Sequence, residues 1–187
     1  MKDVIKIIII CITWLLSHSL LAQDKFITQT GYTKFFSSAP LEDIEAHNNQ
    51  VQSVIDFTKQ EVVVSMDMQA FEFDKSLMQE HFNENYVESE KYPKAIFKGT
   101  FTNGSTIDPT KNGEYAVAVE GTMTIHGVTQ PVTTEGTIIV NGPSINAKTK
   151  FIVKVADHDI DIPKIVFHNI AEEVEVTVDI KYSPLNS

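Results

Sequence analysis

A break of only two residues, His126-Gly127, between two β-prone runs constrains this fold more than any other feature of the sequence. Residues 123–125 precede the break and residues 128–133 follow it. Because glycine adopts positive φ without steric cost, such a break predicts a tight antiparallel hairpin. Apolar residues continue outward at even spacing: Tyr115, Val117, Val119, Met123 and Ile125 before the turn, and Val128, Val132, Ile138 and Val140 after it. We therefore predict strands longer than the usual length of about five to six residues.

Most of the remaining chain repeats this two-residue period. The other β-prone runs are residues 26–30, 32–37, 41–47, 51–57, 61–73, 95–102, 145–153 and 174–180. Residues 41–47 also suit a helix, and we favour a strand there. About seven or eight amphipathic strands joined by short turns predict an all-β domain, built either as an up-and-down barrel or as a sandwich.

The period changes once, between residues 74 and 85. Leu77, Met78, His81 and Phe82 form an apolar stripe with helical spacing, and Asp74 is the candidate N-cap. We predict one inserted helix of about two to three turns. Its position on the stripe predicts that His81 is packed.

The first residues have the pattern of a secretory signal peptide. Lys2 and Lys6 form a basic start, residues 7–16 are almost uninterruptedly apolar, and Ala22 is the best candidate for the last residue removed. The apolar run is shorter than the ~20 residues of a membrane-spanning helix, so we expect no stable membrane insertion after cleavage. This predicts a signal peptide over residues 1–22 and one exported domain, periplasmic or secreted, over residues 23–187. Cys11, the only cysteine, lies in the removed run, so we expect no disulfide.

The charge of the chain excludes several kinds of partner. All fifteen basic residues are lysines, and 25 acidic residues give a formal net charge of −10. Nucleic acids and anionic membrane surfaces need clustered positive charge, so neither is an expected partner. The absence of arginine also removes the usual bidentate clamp for phosphate or carboxylate. We therefore expect no small anionic ligand.

Apolar side chains on one face of the predicted strands have two interpretations. They form either a packed core or the lining of a cavity, and the residues concerned are Met66, Phe97, Phe101, Val117, Val119, Met123 and Phe151. An eight-stranded barrel is just wide enough for either arrangement. The pattern alone favours a packed core, because apolar stripes usually pack together.

Three segments resemble a known family. MTIHGVTQPVT, residues 123–133, resembles the Leu-Thr-Leu-His-Gly-Val-Thr-basic-Pro-Val signature of the YceI-like, polyisoprenoid-binding family of exported bacterial proteins. Residues 77–101 resemble its segment ending in Tyr-Pro-x-Ala-x-Phe, and residues 151–180 resemble its Ile-x-Ile-Pro turn and last strand. Gln130 stands where the family has a basic residue, and residues 26–31 lack the Asp-x-x-His-Ser opening of many members.

The resemblance implies an extended antiparallel lipocalin-like barrel of about eight strands with an apolar tunnel for a long isoprenoid-type chain. It therefore favours the cavity interpretation. The expected lining residues are Phe36, Met66, Phe97, Phe101, Val117, Val119, Met123 and Phe151. Methionine adapts well to a flexible chain because its thioether is deformable. We expect no cofactor other than a bound isoprenoid or quinone-like lipid, which the protein would carry or sequester.

The candidate chemistry points to binding rather than catalysis. His126 is the candidate contact for a lipid head group, or else a turn residue that bonds local backbone. The Asp157, Asp159 and Asp161 triplet lacks the Gly and Glu of a calcium loop, so we predict no metal site. No catalytic cysteine, Gly-x-Ser-x-Gly elbow or His-Glu-x-x-His motif is present. The alternatives are an enzyme that acts on such a lipid, with His126 or His81 as base, and a packed barrel with a structural or stress-related partner role.

Overall fold

A computed structural model describes residues 24–162 and 171–185. The predicted signal peptide lies outside the described residues. Nine strands are described: β1 Lys25–Ser38, β2 Asp43–Asp56, β3 Glu61–Asp67, β4 Glu72–Phe73, β5 Lys94–Phe101, β6 Gly113–Ile125, β7 Val128–Asn141, β8 Ser144–Lys154 and β9 Glu173–Pro184.

The strands form one antiparallel sheet that closes on itself. Their order is β1-β9-β8-β7-β6-β5-β3-β2, and pairing between β1 and β2 completes the ring. Among the described strands, the two-residue strand β4 pairs only with β2, at Ala46 and His47. Closure removes the free edges of the sheet. The predicted antiparallel barrel of about eight strands is confirmed, and the sandwich alternative is wrong.

The hairpin that turns at His126-Gly127 has the predicted geometry. β6 and β7 pair without interruption from Gly113 opposite Val140 to Ile125 opposite Val128. His126 and Gly127 both have positive φ, 50° and 76°, as a two-residue turn that follows the strand twist requires. A Cβ at position 127 would lie 2.6 Å from the Tyr92 ring, so the turn also needs glycine for space.

Two pairs of predicted runs join into single long strands. Residues 26–30 and 32–37 belong to β1, and residues 41–47 and 51–57 fall largely within β2. The pairing of β1 with both of its neighbours shifts register around Gly31. A Cβ there would lie 3.0 Å from an Ile180 side-chain carbon, so the strands approach closely at this bulge.

The predicted helix is present, but it begins later than expected. Helix α1 spans Ser76–His81 and continues as a π-helical turn over Phe82–Tyr86. Its N-cap is Lys75, without a side-chain cap bond, so the prediction of Asp74 was wrong. The Gln79 side chain instead accepts the backbone N–H of Phe73 and ties the incoming chain to the helix. Short 3-10 turns occupy Met68–Ala70, Gly104–Thr106 and Val155–His158. None of the described helices is long and apolar enough to cross a membrane.

The two ends of the barrel differ. We call the end at the β6–β7 turn the outer end and the end at the β7–β8 turn the inner end. Near the inner end, four isoleucines are at most 1% exposed: Ile55, Ile138, Ile145 and Ile180. The Phe57 ring contacts the rings of Phe26 and Phe101 there, with centroid distances of 5.7 and 6.1 Å, respectively. The inner end is therefore the packed core of the protein.

The wall is less continuous toward the outer end. β7 and β8 pair only over Gly136–Asn141 on β7 and 144–149 on β8. Beyond that point, side chains link β7 to β8 and to the 3-10 turn that follows β8. Thr134 Oγ1 lies 2.8 Å from Thr149 Oγ1 on β8, and Gln130 Nε2 donates to the Asp157 carbonyl in the turn at 2.6 Å. The outer part of this seam depends on side-chain bonds rather than on a backbone ladder.

Candidate functional site

A cavity of about 510 Å³ occupies the outer end of the barrel. Its lining comes from the inward faces of several strands, from α1 and from the segment after β8. Most of the lining side chains are apolar, and Met66, Met68, Met78 and Met123 are among them. Four flexible thioethers give the cavity a surface that adjusts to irregular apolar shapes. We call this space the outer cavity.

Four phenylalanine rings form one wall of the outer cavity. Phe82 lies 5.4 Å from Phe35, 5.7 Å from Phe71 and 5.1 Å from Phe73, measured between ring centroids. Phe35 belongs to β1, Phe73 to β4 and Phe82 to the π-helical turn, while Phe71 follows a 3-10 turn. The inserted helix thus completes the cavity by bringing its aromatic side chain against the strands.

A smaller cavity of about 90 Å³ lies deeper in the barrel. Thr33, Met66, Met123 and Val176 line both this inner cavity and the outer cavity, and therefore stand between them. Two of these four side chains are methionines, which adapt to irregular neighbours because the thioether is flexible. The barrel interior is thus a wide outer space followed by a narrow one.

Most of the predicted lining residues lie along this interior. Met66 and Met123 line both cavities, and five others line the inner cavity: Phe97, Phe101, Val117, Val119 and Phe151. Their contact with a ligand stays a prediction.

Phe36 is the exception, and the prediction for this residue was wrong. An uninterrupted two-residue period starting at the buried Phe26 and Thr28 places position 36 inward. The bulge at Gly31 shifts the inward face to Thr33 and Phe35. Phe35 therefore lines the outer cavity where Phe36 was expected. Glycine inside a strand pattern is the sequence signal for such a bulge.

His126 is not among the residues that line either cavity, and its contact with a lipid head group stays a prediction. Its Nε2 lies 2.7 Å from Glu88 Oε2 and its Nδ1 lies 3.1 Å from the His158 carbonyl oxygen. Both partners are acceptors, so both ring nitrogens donate only when the imidazole is protonated. The hydrogen bond from His126 is the main cause that lowers the pKa of the Glu88 carboxyl. His126 thus joins the segment after the helix, the hairpin tip and the segment after β8.

His81 also differs from its prediction. It is exposed at the end of α1 and lies at the rim of the outer cavity, rather than packed. Within residues 24–162 and 171–185, no group of three or more His, Cys, Asp or Glu side chains is arranged to hold a metal ion.

Two ion pairs lie at the rim of the outer cavity. Lys34 Nζ is 2.7 Å from Glu45 Oε2, and Lys75 Nζ is 2.5 Å from Glu42 Oε1. The hydrogen bond between Lys34 and Glu45 raises the pKa of the lysine and lowers that of the carboxyl. Among the described residues, both lysines that line the rim, Lys34 and Lys75, are therefore matched by a carboxylate.

Comparisons with known proteins agree with this architecture. A model of the YceI-like domain matches residues 26–182. A polyisoprenoid binding domain from Saccharophagus degradans, implicated in plant cell wall breakdown, has a similar fold at TM-score 0.75 and 15% identity, over 87% of this chain and 99% of that chain. BcnA of Burkholderia cenocepacia is similar at TM-score 0.67 and 16% identity, over 81% of this chain and 95% of that one. The YCEI protein of Campylobacter jejuni gives TM-score 0.60 and 14% identity, over 75% and 85%. No curated protein sequence matches the chain significantly.

Proposed function

The chain belongs to the YceI-like family, and we propose on that basis that it binds an apolar, isoprenoid-type lipid inside its barrel. The similar domain from Saccharophagus degradans is described as polyisoprenoid binding, which supports this ligand class. We propose further that the protein is exported and carries or sequesters the lipid. The basic start and the apolar run of residues 1–22 support export.

The observation that carries the proposal is the apolar outer cavity. Its volume of about 510 Å³ lies within the range of roughly 300–1,000 Å³ typical of small-molecule sites. Four phenylalanines and four methionines contribute to its lining. Moving apolar surface from water into such a site gains about 25 cal/mol per Å² before the cost of ordering the chain is subtracted. An apolar chain is the ligand that gains most there.

The alternatives receive less support. A fully packed barrel does not accommodate a cavity of this size. An enzyme that acts on the lipid requires a base beside the lipid. Neither candidate histidine is positioned inside the barrel as such a base. His126 is held by Glu88 and the His158 backbone, and His81 is exposed at the rim.

Organic extraction of the purified protein followed by mass spectrometry tests the proposal, together with titration of a fluorescent apolar probe. We expect a co-purified apolar lipid, or uptake of the probe when the lipid has been removed. An empty extract combined with no probe uptake would contradict lipid binding.

A matched pair of variants on β8 locates the binding. Val153→Trp fills the outer cavity, because Val153 contributes to its lining. The neighbouring Ile152 is 53% exposed and is not among the lining residues, so Ile152→Trp adds the same side chain outside the barrel. We expect the first variant to lose bound lipid and probe, and the second to retain both. Equal retention would place the ligand elsewhere.

A further inference from the structure

Ser37 is a buried polar side chain at the outer cavity. It is 2% exposed, and it follows Phe35 on the inward face of β1. Its hydroxyl oxygen accepts the backbone N–H of Ala171 at 2.9 Å. The serine is therefore positioned by one hydrogen bond while it contributes to the cavity lining.

The Ser37 hydroxyl also has a proton to donate. Within residues 24–162 and 171–185, this hydroxyl donates a hydrogen bond to no acceptor. A buried donor that makes no hydrogen bond costs about 1–3 kcal/mol, and a hydroxyl rotates freely to reach an acceptor. Since the side chain borders the cavity, a ligand oxygen there would complete its bonding.

The rim selects against a charged ligand end. Lys34 and Lys75 are bonded to Glu45 and Glu42, respectively, so their charges are already matched. A carboxylate or phosphate at this rim would meet two carboxylates as well as two lysines. The whole chain has a net charge of −10 and no arginine, which adds to the repulsion of anions.

We propose that the ligand ends in an uncharged oxygen acceptor, a carbonyl or hydroxyl group, that receives the hydroxyl proton of Ser37. This inference rests on the proposed lipid-binding function and narrows its ligand class. It favours an isoprenoid alcohol or a quinone-type carbonyl over a fatty acid or a prenyl diphosphate. Ser37 then sets specificity, while the apolar cavity supplies most of the affinity.

Three ligands with the same carbon skeleton test the proposal: farnesol, farnesene and farnesyl diphosphate. Displacement of a fluorescent apolar probe measures their affinities for the delipidated protein and for Ser37→Ala. We expect the unmodified protein to bind farnesol more tightly than the diphosphate. Ser37→Ala should weaken farnesol binding by about fivefold and leave farnesene unchanged, because only farnesol offers an oxygen.

Ser38→Ala is the matched control for the loss of a serine hydroxyl. Ser38 is the next residue on β1, is exposed, and donates to Asp43 Oδ1 at 2.8 Å. We expect it to leave the affinities for all three ligands unchanged. Unchanged farnesene binding by Ser37→Ala also shows that the variant keeps its cavity, even though its bond to Ala171 is lost.

Freeing the rim lysines tests the second half of the proposal. The double variant Glu42→Gln, Glu45→Gln removes both carboxylates and should raise diphosphate affinity relative to farnesol by several-fold. Glu173→Gln is the control, because it makes a similar change at the Lys154 pair, and neither residue of that pair is among the cavity lining.

The results separate this inference from the proposed function. Equal binding of farnesol and farnesene, with no effect of Ser37→Ala, would overturn the role of Ser37 while lipid binding stands. Tightest binding of farnesyl diphosphate by the unmodified protein would overturn the uncharged ligand end. Failure of every ligand and of the apolar probe would instead overturn the proposed function itself.

Discussion

The inner and outer halves of this barrel are built from the same strands but differ in packing. Toward the inner end, β7 and β8 keep their backbone ladder beside fully buried isoleucines, and only about 90 Å³ is left empty. Toward the outer end, β7 and β8 separate, an inserted helix completes the wall, and about 510 Å³ is left empty. The first arrangement favours stability, and the second leaves room for a ligand.

The contrast is visible along a single strand. On β8, Ile145 near the inner end is 1% exposed and lines neither cavity, whereas Val153 near the outer end is partly exposed and lines the outer cavity. Both side chains have the same parity on the strand. An amphipathic strand therefore contributes to folding at one end and to binding at the other, and position along the barrel decides which.

The largest expected effect is a loss of stability at the inner end. Ile145→Ala should lower the free energy of unfolding by about 2–5 kcal/mol, because it leaves a void in packed surroundings. Val153→Ala should cost clearly less than this, by more than the ~0.8 kcal/mol assigned to its one fewer methylene group. Chemical denaturation of both variants measures the difference. Equal costs would show that the outer half is packed as tightly as the inner half.

The second effect concerns the inner end at high pH. Burial raises the pKa of Tyr182 to about 12, and its hydroxyl lies 2.7 Å from Ser53 Oγ. Ser53 donates its own proton to the Val63 carbonyl, so the tyrosine is the donor between them. A raised pKa means that the neutral phenol is favoured in the folded protein. The contribution of Tyr182 to the free energy of unfolding is therefore complete below the ordinary tyrosine pKa of about 10. It is lost as the pH rises through about 12.

Denaturation from below pH 10 to above pH 12 measures this loss, which should reach about 3 kcal/mol for a shift of this size. Tyr182→Phe should remove that part of the pH dependence, because it has no proton to lose. Tyr32→Phe, which removes a hydroxyl bonded to His47 and leaves Tyr182 intact, is the control and should retain the alkaline loss. The same alkaline slope in Tyr182→Phe would assign the loss to other groups.

The third effect is on binding and compares two neighbouring phenylalanines. Phe35→Ala removes a ring that contacts Phe71, Phe73 and Phe82 in the wall of the outer cavity. We expect it to weaken binding of an apolar probe by about tenfold, which corresponds to about 1.4 kcal/mol. Phe36→Ala, on the opposite face of β1, should leave the affinity nearly unchanged. A larger loss for Phe36→Ala would reverse the assignment of the inward face.

The sequence predicts the repeating parts of this molecule better than its exceptions. The two-residue period and the His126-Gly127 break predict the hairpin and the barrel, because both depend on local patterns. The bulge at Gly31 changes which residues of β1 face inward. The two-residue period of the sequence does not reveal this change, because the bulge is defined by the register between β1 and β2. The family resemblance, rather than the apolar pattern, predicts a cavity in place of a filled core.

The missed parts of the candidate site depend on contacts between distant segments. Phe71 and Phe73 meet Phe82 only because the helix folds back over the barrel. The position of the Ser37 hydroxyl depends on the backbone N–H of Ala171, which donates a hydrogen bond to it. His126 is bonded to Glu88 and His158, which are 38 and 32 residues away in the chain. No local spacing links residues so far apart.

The smallest expected effect is at the outer end, where Glu88 accepts a hydrogen bond from His126 at 2.7 Å. This bond, opposed in part by desolvation, lowers the pKa of the Glu88 carboxyl below its ordinary value of 4.5. A lowered pKa means that the contribution of the carboxylate to stability is present above that value and is lost as the pH falls through the folded-state pKa. Glu88→Gln cannot lose a charge in this range.

We therefore expect the unmodified protein to be more stable than Glu88→Gln above pH 4.5, and the difference to shrink as the pH falls below that value. Denaturant midpoints on both sides of this pH measure the effect. The exposed neighbour Glu90→Gln is the control, because no His126 bond is lost there. Since Glu88, His126 and His158 connect segments of the outer half, the effect should be confined to that half. In Glu88→Gln, amide hydrogen exchange should become faster at the tip of the β6–β7 hairpin, while the inner parts of the strands stay protected. Faster exchange throughout the barrel of this variant would show that the two halves unfold as one unit.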